Sequence, residues 1–185
     1  MVNSVDLAQL SSTTAPCQLI ENDMHITSVD LSARPMLYLS KTTSRAEIPS
    51  VLNAGFAKLA QFMQKLGIPP AGPRLAVYHD WSGDKMAVDI GFPVTAADAQ
   101  KAEGDILAGM TPDGFALKVV HVGPYAALPA TYDAIGAAMS KAGMAEANRM
   151  WEVYVGEPGV TPDAELITEI YMQVTPAQAA NYPAT

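Results

Sequence analysis

Two carboxylates, Asp89 and Glu169, hold matching places in two copies of one sequence pattern. Each sits in a strand-like run whose alternate residues are apolar. A carboxylate on a largely apolar concave face is costly unless it is paired or hydrogen-bonded, and a cationic molecule could supply that partner. Tyrosines recur close by: Tyr78 in the first copy, Tyr154 and Tyr171 in the second. Aromatic rings beside a bound cation add about 0.5–2 kcal/mol each. The same residue types could do hydrolysis instead. Glu169 would act as general base toward water, and Tyr154 or Tyr171 would donate to the leaving oxygen. A solvated or salt-bridged strand acid is the commoner origin of any single glutamate. The repeat and the strand face weigh against that for Glu169, whereas Asp89 and Glu152 read equally well as cleft acids or as structural groups.

The repeat is direct. At an offset of 76 residues Phe56 meets Tyr132, Leu59 meets Ile135, Met63 meets Met139, Val77 meets Val153 and Tyr78 meets Tyr154. Past a longer loop in the second copy the offset becomes 80, and Asp89 meets Glu169. A duplicated unit with a matched acid predicts a cleft across a pseudo-twofold axis.

Composition narrows the partners. The 185 residues are 49% apolar and 16% charged, enough for a packed core. The net charge of −8, with no run of Lys or Arg, argues against direct nucleic-acid binding and suits neutral or cationic partners. Cys17 is the one cysteine, so no disulfide framework forms within the chain. His25, His79 and His121 are scattered without metal-ligand spacing, and neither a metal nor a cofactor is expected. The start of the chain does not read as a signal peptide, and no apolar run approaches the roughly 20 residues of a membrane span. A soluble cytoplasmic protein is the expectation.

Residues 1–24 read as a loose lead-in, and 25–175 as a single domain. Within it, repeat one spans 25–94, a linker 95–114 and repeat two 115–175. A tail, 176–185, is expected to fray. Copy one begins with strand content over 25–41, interrupted at Pro35. Apolar spacing from Ile48 to Leu66 predicts a helix over 47–66, and a hairpin follows over 73–79 and 85–94. Copy two repeats the order, with a strand over 115–122, a helix over 126–142 and a hairpin over 149–156 and 165–175. The fold class is therefore α+β. It comprises two fused strand-helix-strand-strand repeats, antiparallel sheets with helices on one side, and a central cleft on the pseudo-twofold axis.

Alternation assigns the faces. Val88, Ile90 and Phe92, and likewise Thr168, Ile170 and Met172, should meet the helices. That leaves Asp89, Ile167, Glu169 and Tyr171 on the opposite face. If Trp151, Val153 and Val155 also turn toward the helices, then Met150, Glu152 and Tyr154 join Glu169, as does Tyr78 by the repeat. The expected ligand site is thus Glu169, Tyr171, Tyr154, Glu152, Met150, Ile167, Tyr78 and Asp89, lying away from the helices.

The run Trp151-Glu152-Val153-Tyr154, a Pro/Gly loop, then Thr168-Glu169-Ile170-Tyr171 resembles the GyrI-like family. So do His121-Val122-Gly123-Pro124-Tyr125 and Val88-Asp89-Ile90-Gly91-Phe92-Pro93-Val94. The resemblance spans roughly 25–175. It implies two copies around a central cleft, a fold shared with the SOUL haem-binding proteins, and a role like the effector-binding domains of AraC- or MerR-type transcription activators. Those bind hydrophobic, often cationic molecules against a glutamate, which the resemblance places at Glu169. Asp89 departs from the pattern, standing where many relatives carry glutamate. Recognition of small hydrophobic or cationic molecules, for sensing or sequestration of xenobiotics, is the function expected. The resemblance also implies two alternatives: hydrolysis of cyclopropane-bearing toxins by a cleft Glu and Tyr, and a protein-interaction role such as modulation of DNA gyrase. Self-association is open.

Overall fold

A computed structural model of the protein describes residues 25–82, 84–144 and 149–184. The lead-in over 1–24 lies outside the described residues. Among the described residues there are eight strands: β1 (Ile26–Leu31), β2 (Pro35–Ser44), β3 (Arg74–Ser82), β4 (Lys85–Pro93), β5 (Leu107–Met110), β6 (Gly114–Val122), β7 (Arg149–Val155) and β8 (Ile167–Gln173). Two long helices, α1 (Ile48–Lys65) and α3 (Leu128–Lys141), cover one face of the sheet. Two short ones, α2 (Ala96–Ala99) and α4 (Pro176–Ala179), lie at connections.

Helix α1 buries Phe56, Leu59 and Met63, an i, i+3, i+7 stripe that seats it on β2 and β4. Leu59 is fully buried, which stabilises by about 1.5–3 kcal/mol. Entry is set by Glu47, whose carboxylate accepts the Ser44 hydroxyl at 2.7 Å, and by Pro49 in the first turn. Exit comes at Gly67, whose φ of 63° an L side chain resists. Helix α3 repeats the arrangement. It buries Ile135 and Met139 against Leu117, Ile170 and Met172, and stops before Gly143 at φ 67°.

All strands form one antiparallel sheet in the order β1-β6-β8-β7-β3-β4-β2-β5. The two copies join where β3 pairs with β7, so the pseudo-twofold axis passes between those strands. The outermost strands are exchanged. β1 lies on β6 of the second copy, while β5, from the linker, lies on β2 of the first.

This order forces the sheet to curl. β1 and β2 stand six inter-strand spacings apart, about 29 Å across a flat sheet. Yet only residues 32–34 connect them, and four peptide steps reach about 15 Å. The sheet bends away from the helices, bringing Val29 and Leu31 of β1 and Met36 and Tyr38 of β2 into one cluster with Trp151 and Tyr171. Both faces of the central strands are therefore buried.

Two segments differ from expectation. The linker carries α2 and β5, and Arg34 N–H donates to Thr111 Oγ1 at 2.9 Å beside it. The described part of the tail, 176–184, makes defined contacts: Thr175 caps α4, Tyr182 packs on the α3 core, and Ser28 N–H donates to the Pro183 carbonyl at 2.7 Å. Neither short element has enough residues to show a hydrophobic period.

Candidate functional site

Strand register settles which side chains meet. On β7, Glu152 pairs with Ile170 and Tyr154 with Thr168, so both share the helix-facing side with the α3 core. Met150, opposite Met172 and Tyr78, lies on that side as well. Trp151 and Val153 point the other way, opposite Tyr171 and Glu169. The expectation that Trp151 and Val153 face the helices is thereby corrected. It rested on one apolar face per strand, whereas the curled sheet buries both. Trp151 instead stacks on Tyr171 with ring centroids 5.3 Å apart and planes 5° from parallel.

Glu152 is 4% exposed. Its carboxylate accepts three phenols: Tyr78 at 2.9 Å and Tyr154 on one oxygen, Tyr132 of α3 on the other. The Tyr78 and Tyr154 hydroxyls are themselves 3.4 Å apart. Burial, and next the charge of Glu152, raise the ionisation of all three phenols well above its ordinary value, so they stay protonated and donate. Among the described residues no Lys, Arg or His forms an ion pair with Glu152. A carboxylate has about four acceptor directions, and three are taken.

This acid lies in the wall of a cavity of about 930 Å³ between α1 and α3. Leu52, Phe56, Tyr125, Leu128, Met139 and Met150 supply much of the apolar wall. Tyr154 is held by edge-to-face contacts from Phe56 at 5.7 Å and Tyr125 at 5.6 Å. Arg74, at the start of β3, enters the same cavity with its guanidinium 4.9 Å from the Phe56 ring centre and 5.8 Å from that of Tyr154. Arg45 and Asp133 stand exposed at the rim.

The expected site residues thus divide. Met150, Glu152, Tyr154 and Tyr78 line the cavity. Glu169, Tyr171, Asp89 and Ile167 lie on the opposite face, as expected of them individually, but the two groups do not share a side. Glu169 there already has a cation, Lys118 Nζ at 2.7 Å, and accepts the Tyr171 hydroxyl at 2.7 Å. Burial, and then that bond, push the Tyr171 phenol up. Asp89 accepts from His79 Nε2 at 3.1 Å, while His79 Nδ1 reaches Asp80 at 3.0 Å. His121 is buried and bonded to Thr131 at 2.8 Å. Among the described residues no group of three or more His, Cys, Asp or Glu side chains is gathered to hold a metal, and no helix is long and apolar enough to cross a membrane.

Sequence reasoning missed Tyr132, Arg74, Phe56 and Tyr125 as site residues. The repeat held a signal. Its offset of 76 carries Phe56 onto Tyr132 and Tyr78 onto Tyr154, aromatic on aromatic in each case. Phe56 and Tyr132 read as helix core, yet the Tyr132 hydroxyl joins those of Tyr78 and Tyr154 on Glu152, and Phe56 packs against Tyr154.

Comparison with known proteins agrees with this architecture. The family described as GyrI-like small molecule binding domain matches residues 24–175. Among solved structures, the EcmrR C-terminal domain is 22% identical with a TM-score of 0.66, covering 82% of this chain and 98% of its own. In an EcmrR–DNA complex the same likeness spans 56% of the EcmrR chain. The SAV2435 protein bound to tetraphenylphosphonium is 14% identical with a TM-score of 0.63, covering 84% and 96% of the two chains. A hydrolase from Listeria innocua is 13% identical with a TM-score of 0.52, covering 82% and 92%. At these identities the likenesses show the fold. No curated protein sequence matches the chain.

Proposed function

Because the chain belongs to the GyrI-like small-molecule-binding family, we propose that its cavity takes up hydrophobic cationic molecules with Glu152 as their counter-charge. The observation that carries this is the state of the acid. Glu152 is buried, solvated by three phenols, without an ion-paired cation among the described residues, and set in a largely apolar wall. A lone buried carboxylate is expensive, and a bound cation in low dielectric recovers that cost. Tyr78, Tyr132 and Tyr154 hold the charge in place while leaving about one acceptor direction toward the cavity. Their rings and Phe56 offer π faces to the same cation. The role this suits is sensing or sequestration of xenobiotics.

A hydrolytic role would use Glu152 with Tyr154 in the same place. The geometry favours holding charge over that chemistry, since most of the lone pairs a base needs are already occupied. The decisive experiment is equilibrium binding of tetraphenylphosphonium, a lipophilic monocation, to the wild type and to Glu152→Gln. Stoichiometric binding that weakens at least about tenfold in the variant is expected. Equal affinity for the two proteins would sink the proposal.

A further inference from the structure

Arg74 is a cation in a cavity proposed to bind cations, and its setting is unusual. It pairs with Tyr154 across the β3–β7 ladder, which makes it the diagonal neighbour of Glu152 on the helix-facing side. Such neighbours lie about 7–8 Å apart, within easy reach of an arginine. The two nevertheless form no ion pair. Glu152 is claimed by tyrosines, and the guanidinium lies over Phe56 and Tyr154. Arg74 Nε is buried without a hydrogen-bond partner, a costly arrangement for a donor. The lining carries Arg45 and Arg74 against Asp133 and Glu152, so its charges balance before any ligand enters.

We infer that the preferred ligand is dipolar: an aromatic molecule with a cationic centre for Glu152 and a carboxylate, or an equally strong oxygen acceptor, for Arg74. This rests on the cation-binding reading above and adds a second pole to it. Phe56 and Tyr154 lie beside the guanidinium, which is not paired with Glu152. A planar guanidinium then offers paired N–H donors in the fork that a carboxylate matches. A purely cationic ligand would satisfy Glu152 and leave its own charge beside Arg74. A zwitterion satisfies both and preserves the balance. In this view Arg74 sets specificity, and Glu152 sets the requirement for a cation.

The test uses two fluorescent dyes that differ only at one group: rhodamine B, with a free carboxylate, and its ethyl ester. Binding is followed by fluorescence polarisation at neutral pH. The free acid should bind the wild type about tenfold more tightly than the ester, the scale of one charge-assisted bond. Arg74→Met places on β3 the residue that the repeat carries at Met150, so the fold has a precedent for it. This variant should lose the preference by weakening the acid alone, and Glu152→Gln should weaken both dyes. If Arg74→Met does not fold, Arg74→Gln is measured in its place. Equal binding of acid and ester to the wild type overturns the inference. So does tighter binding of both dyes to Arg74→Met, which would make the guanidinium a resident competitor. In either case the cation-binding reading stands if Glu152→Gln still weakens the ester. Absence of binding by either dye to the wild type removes both readings.

Discussion

Ala76 faces Glu152 across the β3–β7 ladder, and the repeat offset of 76 carries the one residue onto the other. The pair therefore lies on the pseudo-twofold axis. The duplicated fold offers two equivalent places for a charge, and only one is filled. A methyl group opposite gives the three phenols room to converge on a single carboxylate.

Replacing Ala76 by Glu would set two buried acids directly opposite each other. An uncompensated buried charge costs about 3–5 kcal/mol, so chemical denaturation of Ala76→Glu should show a loss of that order. Stability equal to the wild type would mean that the site is wetter than its burial indicates.

Glu169→Gln distinguishes the two acids. Glu169 lies on the opposite face, partnered by Lys118, with its side chain 24% exposed. Ligand affinity should stay within about twofold of wild type, and stability should fall by no more than about 1 kcal/mol. Calorimetric titration beside Glu152→Gln would reveal any exchange of roles.

Alkaline pH should unfold the protein through the phenols around Glu152. Tyr78, Tyr132 and Tyr154 ionise well above the ordinary value of 10.0, chiefly because they are buried. A raised folded value means that the stabilisation is complete below about pH 10 and is lost as pH climbs through the folded values. Urea unfolding from about pH 9 to 11 should lose up to about 1.4 kcal/mol per pH unit for each phenol. Tyr132→Phe should reduce that slope by one phenol's share.

Gly55 sets how closely α1 approaches the sheet. A Cβ there would come within 2.5 Å of Ile90 Cδ1 and 3.2 Å of its Cγ2. Ile90 is β-branched and fully buried, so it has little room to yield. Gly55→Ala should cost about 1–3 kcal/mol despite the better helix propensity of alanine. Thermal unfolding checks the sign.

Much of this architecture is legible in residue order. The helix expected over 47–66 is Ile48–Lys65, and that over 126–142 is Leu128–Lys141. Glycines mark both ends, and the apolar stripes are regular. The site is less legible for one physical reason. Alternation separates two strand faces but does not say which one the helices cover, and on β7 both are buried. Trp151 looks like a core residue and is one, but its core lies inside the curl of the sheet. The curl itself follows from the short 32–34 connection, whose meaning depends on knowing that β1 pairs with β6. Tyr132 reaches Glu152 through a hydroxyl at the far end of an otherwise ordinary helix-core ring.

The exchange of outer strands means that the halves of this duplicated chain are no longer separable. A fragment ending at residue 94 would keep β1 without β6, and would leave β2 with an open edge where β5 belongs. Such an edge invites pairing with another chain. The two copies are laced together, each finishing the other's sheet, around the axis that holds Glu152.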